Sequence, residues 1–157
     1  MTMPGAERDI CWDEFTFLVD QLIEQIGGRQ FDLYMLVSRG GLIPGGLLAK
    51  RSPFYNITVL SIQWYDGKTK MDKPIVLQTP HESLLHGKDV LIIDEVWQSG
   101  DTLAFATKLV TRAGGRAHTA VIHFKPNQST NTGQPTFHSE IEERWIRYPW
   151  EKSEGQT

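Results

Sequence analysis

At 157 residues, with 39% hydrophobic and 22% charged residues, the chain is long enough for one domain with a sizeable core, and its composition is that of an ordinary globular protein. A net charge of −3 and a pI near 5.9 leave no polybasic footprint for nucleic acid or anionic lipid. The single Cys11 excludes an internal disulfide, no apolar run reaches membrane-span length, and Met1 to Arg8 lacks the order of a secretory signal, so cytoplasmic residence is expected.

Trp12, Phe15, Val19, Leu22 and Ile26 recur at alternating spacings of three and four, one face of an amphipathic helix closed by Gly27-Gly28. Phe31 to Val37 reads as a strand, Ser38 to Gly41 as a tight turn, and Pro44 as an early helix position before Gly45 to Lys50. Ile57 to Trp64 is a second strand. Asp66-Gly67 then marks a hairpin turn leading through the lysine-rich Lys68 to Lys73 into Ile75 to Leu77. Val90 to Ile93, apolar without alternation, suits a strand buried on both faces, and Leu103, Ala106 and Val110 follow at helical spacing up to Gly114-Gly115. Ala117 to Phe124 is a further strand, Asn127 to Thr136 a loop, and Lys152 to Thr157 a frayed tail. Strands alternating with helices predict an α/β fold, a mostly parallel twisted sheet flanked by helices, in one domain spanning 1–157.

Val90 to Thr102 concentrates the chemistry. The strand ends in two acids, Asp94 and Glu95, and then in a turn, Ser99 to Thr102, that opens a helix. There the N–H groups of Ser99, Gly100, Asp101 and Thr102 lack intrahelical partners and the helix dipole adds positive charge, so a phosphate dianion is well placed. Gly100 lets the backbone come close, and the Ser99 and Thr102 hydroxyls can donate. Asp94 and Glu95 can accept from two vicinal hydroxyls or hold a cation.

Val37 to Gly46 forms a second anion cradle, in which Arg39 supplies a forked donor set and Gly40 and Gly41 free the backbone to turn its N–H groups toward a pyrophosphate. Gly41 and Gly46 have P-loop spacing, but Leu47-Leu48 follow instead of Lys-Ser/Thr, and G-x-G-x-x-G is absent, which counts against a generic nucleotide binder. A third segment begins at Lys125-Pro126 and resumes at Arg144 to Glu151, where Trp145 offers a stacking face. The lysines at 68, 70 and 73 read as a solvated hairpin face. His81, His86, His118 and His123 show no zinc-like spacing and read as scattered surface residues.

In this order, the three segments resemble the type I phosphoribosyltransferases, and most closely the xanthine-guanine (6-oxopurine) enzymes, from about Ile10 to Glu151. The resemblance implies that family's fold, with a small C-terminal hood at about 125–151. It also implies transfer of the 5-phosphoribosyl group of PRPP to guanine, xanthine or hypoxanthine, pyrophosphate leaving as an oxocarbenium-like centre forms. By the same resemblance Gln98, Ser99, Gly100, Asp101 and Thr102 would bind the 5-phosphate. Ser38, Arg39, Gly40 and Gly41 would bind pyrophosphate, with a cis peptide at Ser38-Arg39. Lys125 would bond O6 of the base, Trp145 would stack on it and Ile146 would add backbone contacts. A lysine can only donate, which agrees with a preference for a 6-oxo over a 6-amino group. Asp94 and Glu95 would hold Mg²⁺ and, with Gln98 and Arg39, form the catalytic set. Tyr65 to Lys73 would close as a lid, the chain would form a homodimer or homotetramer, and no nucleic-acid partner is expected. Two residues depart from the pattern. Glu95 stands where Asp is common, and Gln98 stands where 6-oxopurine enzymes usually carry an Asp able to accept the purine N7 proton. These departures leave open a second expectation, a regulatory protein of the same fold that senses PRPP or a nucleotide with little or no catalysis.

Overall fold

A computed structural model of the chain describes residues 7–151. The elements run β1 (Glu7–Asp9), α1 (Trp12–Ile26), β2 (Leu33–Ser38), α2 (Leu42–Arg51), β3 (Ile57–Asp66), β4 (Thr69–Gln78) and the short α3 (Glu82–Leu85). They continue with β5 (Asp89–Trp97), α4 (Asp101–Arg112), β6 (Arg116–Phe124), a 3-10 turn (Pro126–Gln128), β7 (Phe137–Ile141) and β8 (Trp145–Arg147). Six strands form one sheet in the order β4-β3-β2-β5-β6-β7, parallel except for the β3-β4 hairpin.

The apolar run of β5 lies at the centre of this sheet because both of its faces are covered. Leu91 and Ile93 pack with Phe15, Val19, Leu22 and Leu48 of α1 and α2, whereas Val90 and Ile92 pack with Leu103, Ala106 and Val110 of α4. Each buried Val, Leu, Ile or Phe among them stabilises the fold by roughly 1.5–3 kcal/mol. From β2 the chain builds outward through β3 and β4, then returns to place β5 on the other side of β2 and builds outward again through β6 and β7. The loops after β2 and β5 therefore diverge and open a crevice at the carboxyl ends of the strands, where ligands of open α/β sheets bind.

The structure differs from the sequence reading in four places. β7 lies within the segment read as a hood but pairs with β6 at the edge of the main sheet, while β8 pairs with the N-terminal β1 in a separate two-stranded sheet. The hairpin turn sits one residue later than Asp66-Gly67: Asp66 pairs with Thr69, and Gly67, at φ 60°, and Lys68 make the turn. The rest of the lysine-rich stretch, with Lys70 and Lys73, belongs to β4 itself, an edge strand that tolerates Pro74. His123, read as a surface residue, is fully buried on β6. The tail at 152–157 lies outside the described residues, and among those described no helix is long and apolar enough to cross a membrane.

Candidate active site

The turn after β2 and the acids at the end of β5 meet in the crevice. Leu36 and Ile93 are paired in register, so Ser38 to Gly41 and Asp94-Glu95 leave adjacent strands side by side. The Ser38-Arg39 peptide is cis. The Ser38 hydroxyl donates to Ser61 Oγ at 2.9 Å, and the Gly41 N–H donates to the Val37 carbonyl at 2.8 Å. Gly41 is so tightly enclosed that a Cβ would strike the Ile93 and Val37 carbonyls, and one on Gly40 would lie 2.7 Å from the Glu95 carboxyl carbon. Glycine at both positions thus lets the turn close against β5, with the Glu95 side chain laid across Gly40. Arg39 is exposed and near enough to Glu95 to favour its ionised form.

The two acids have different surroundings. Asp94 turns one oxygen to the Glu95 N–H at 2.8 Å, yet burial and then the neighbouring Glu95 charge raise its pKa to about 8. Glu95 is raised to about 7 by burial and then by Glu151, with Arg39 opposing. Two carboxylates so placed, with Arg39 as the nearby cation, suit a divalent ion that needs only one or two protein ligands.

At the next turn Gly100 takes φ +87°, and a Cβ there would lie 2.6 Å from Trp97 Nε1. Glycine is therefore required to start α4 over the indole. Of the four N–H groups expected to face an anion, that of Asp101 is occupied, donating to Ser99 Oγ at 3.3 Å; those of Ser99, Gly100 and Thr102 have no backbone partner among the described residues. The Asp101 carboxylate is held by Lys70 Nζ at 2.5 Å and Asn131 Nδ2 at 2.8 Å, which lower its pKa. Lys70, read as one of a solvated lysine face, thereby ties the hairpin to this turn. A bulge between Gln63 and Tyr65 lets Trp64 reach Thr102, its Nε1–H donating to Oγ1 at 3.1 Å.

The polar stretch after β6 supports the same turn from behind. The Ser99 carbonyl accepts from the N–H groups of Thr130 and Asn131 (3.1 and 3.3 Å) and from Asn131 Nδ2 (2.9 Å), and Trp97 Nε1 donates to Ser129 Oγ at 3.0 Å. Sequence reasoning missed these residues because loop composition carries no sign of which carbonyl a loop will cover.

Glu95, Val96, Gln98, Lys125, Trp145, Ile146, Tyr148 and Glu151 line a cavity of about 70 Å³. It thus unites the base-binding trio expected from the sequence with Gln98 and Glu95. Lys125 is buried and donates from Nζ to the Arg144 carbonyl at 2.6 Å, leaving two protons for other acceptors. Burial lowers its pKa, against the opposing charges of Glu143 and Glu142. Trp145 is 59% exposed, its face open, and Gln98 is exposed at the rim. A larger hollow of about 330 Å³, lined by Ile23, Phe31, Tyr34 and Phe54, lies at the opposite end of β2 and contains none of these groups.

Comparison with known proteins places this geometry in context. The family model of the phosphoribosyl transferase domain matches residues 11–152. A xanthine-guanine phosphoribosyltransferase of Cereibacter sphaeroides is 29% identical over 120 residues, covering 73% of this chain and 66% of that one, so the match spans about two thirds of the relative's length. A purine phosphoribosyltransferase from Pyrococcus horikoshii superposes with a TM-score of 0.81 at 24% identity, covering 99% of each chain. A protein from Neisseria gonorrhoeae solved with bound ppGpp also gives 0.81 at 24% identity, covering 98% of this chain and 93% of its own. At these identities the structural likeness shows the fold.

Proposed function

The chain belongs to the phosphoribosyl transferase domain family, and from that premise we propose that it is a Mg²⁺-dependent purine phosphoribosyltransferase, moving the 5-phosphoribosyl group of PRPP to a 6-oxopurine with release of pyrophosphate. The observation that carries this reading is the cavity in which Gln98, Lys125, Trp145 and Ile146 meet Glu95, beside the Arg39-Gly40 turn.

The N–H groups of Ser99, Gly100 and Thr102 and the Thr102 hydroxyl would hold the 5-phosphate at the start of α4. Binding energy gathered there would orient the reacting carbon without touching it. Arg39 and the Ser38 to Gly41 backbone would take up charge on the departing pyrophosphate. Asp94 and Glu95 would hold Mg²⁺, which when bound would neutralise the pyrophosphate and engage the ribose hydroxyls. Lys125 would donate to O6 and Trp145 would stack on the ring. Gln98 can hydrogen bond at N7 but cannot accept a proton there, so turnover would be slow. General acid-base help is typically worth about 10² to 10⁴ in rate.

Pyrophosphate release, measured with PRPP, Mg²⁺ and each of guanine, xanthine and hypoxanthine, tests the proposal. Turnover with at least one base is expected, rising at least tenfold in Gln98→Asp. The exposed Gln98 also favours the second reading, a sensor of PRPP or a nucleotide. PRPP binding with no pyrophosphate released from any base, in either protein, would select it.

A further inference from the structure

Glu142 does not line the cavity, yet it stands at the junction of the strands that carry Lys125, Trp145 and Ile146. It lies between β7 and β8 and is buried, 8% exposed. Its own N–H donates to the Phe124 carbonyl at 3.1 Å, one residue before Lys125. Its Oε1 accepts from the Arg144 N–H at 2.9 Å and from Arg144 Nε at 3.0 Å, and its Oε2 accepts from Arg144 Nη2 at 2.6 Å. The same Oε2 accepts from Arg8 Nη1 at 2.9 Å, and Arg8 is paired with Ile146 across β1 and β8. Two guanidinium groups and a backbone donor therefore share one carboxylate, and chiefly the bond from Arg144 holds its pKa well below the ordinary carboxylate range.

A lysine head carries three rotatable donors on a flexible stem, so a neighbouring acceptor must decide where its protons point. At Lys125 that acceptor is the Arg144 carbonyl, 2.6 Å from Nζ. Glu142 grips Arg144 by its N–H and its guanidinium, and the β1-β8 ladder takes over from Trp145 onward, so Arg144 is fixed on both sides. The stem of Lys125 is fixed as well, by its own N–H to the Trp97 carbonyl at 2.9 Å and by the Glu142 N–H on the preceding carbonyl. Root and head of the lysine thus both lead back to Glu142.

We propose that Glu142 is a positioning residue for the base: by fixing the Arg144 carbonyl and the strand end under Lys125, it aims the two remaining Lys125 protons at a 6-oxo group. The inference rests on the purine reading above, in which Lys125 meets O6. A lysine no longer held in this way loses both halves of its selectivity, the bond to a 6-oxo group and the donor-to-donor clash with a 6-amino group.

Calorimetric binding of IMP, AMP and PRPP, each with Mg²⁺, to the full chain and to its Glu142→Gln, Lys125→Met and doubly substituted variants tests this. Glutamine keeps the shape of the side chain but turns amide N–H groups against two guanidinium groups, so the clamp opens. The unaltered protein should bind IMP at least tenfold more tightly than AMP. Glu142→Gln should lower that ratio at least fivefold and leave PRPP affinity within threefold, whereas in the Lys125→Met background the same substitution should change the ratio less than twofold. An unchanged ratio, an equal loss for IMP, AMP and PRPP, or the same fall with and without Lys125 would overturn the inference and leave Glu142 a structural junction while the purine reading stands. Should Glu142→Gln fail to fold, Arg144→Ala at the exposed end of the clamp takes its place, with a fall of at least threefold expected and the same results overturning the inference. Failure of the unaltered protein to bind IMP would overturn the purine reading and the inference with it.

Discussion

Asp94 and Glu95 sit in the crevice above their ordinary proton affinity, at about 8 and about 7, because burial and neighbouring carboxylates penalise their charges more than Arg39 offsets them. The folded state therefore binds more protons than the unfolded chain from about pH 4 upward. The stability contributed by the protonated forms is complete below that pH and is lost as pH rises through 7 to 8. Without ligand, the melting temperature should fall between pH 6 and 8.5, and Asp94→Asn should flatten the fall. Adding Mg²⁺ with PRPP should raise the alkaline end most, since a bound cation replaces the protons. Thermal melts across this range check both effects, and a flat profile in the unaltered protein would refute the charge crowding.

The β3-β4 hairpin shows how an element can be anticipated while its contacts are not. Its strands and approximate turn were legible from the Asp-Gly signal and the apolar runs. The one-residue shift arose because Gly67, the residue with φ 60°, takes the first of two turn positions rather than the second. β7 was illegible for another reason: Phe-His-Ser-Glu-Ile alternates weakly and reads as loop until β6 supplies the edge it pairs with. What the hairpin does was equally hidden, since a lysine on a strand carries no mark of its partner. Lys70 bonds Asp101 and lies 5.6 Å from the Trp64 ring centre, and Trp64 bonds Thr102, so the hairpin rests on the start of α4. Lys70→Ala should leave global stability nearly unchanged, because the ion pair is largely solvated. It should nonetheless speed amide exchange at 64–70 several-fold, with little change elsewhere. Equal protection of the hairpin in both proteins would show that Trp64 alone holds it.

Across the whole molecule, the site is assembled from strand ends that sequence order keeps far apart, and this decides which parts could be read in advance. The Ser38 to Gly41 and Ser99 to Thr102 turns were legible because each is local, a strand end with glycines opening a helix. The Ser129 to Asn131 support was not, because its role exists only once β6 has been placed. The network beneath the cavity is of the same kind. Arg8 of β1 bonds Glu14, Glu140 and Glu142 at 2.5 to 2.9 Å, and Glu140 lies 3.3 Å from the buried His123, which in turn meets Tyr148 of the cavity wall. Burial lowers the pKa of His123 to about 4, with Arg8 adding to the effect and Glu140 opposing it. A buried neutral histidine binds fewer protons in the folded state than in the unfolded chain between about pH 6.5 and 4, so its own contribution to stability falls as pH falls through this window, by at most about 1.4 kcal/mol per pH unit for one proton, against the opposite trend set by Asp94 and Glu95. Acid-depressed carboxylates such as Glu142 act below that window, as pH falls through the ordinary carboxylate range. In denaturant unfolding at pH 7, 6, 5 and 4.5, His123→Gln should therefore gain stability relative to the unaltered protein as pH falls, even if the variant is less stable throughout. A variant whose profile ran parallel to that of the unaltered protein would place the acid sensitivity elsewhere and leave the wall behind Tyr148 without its titrating support.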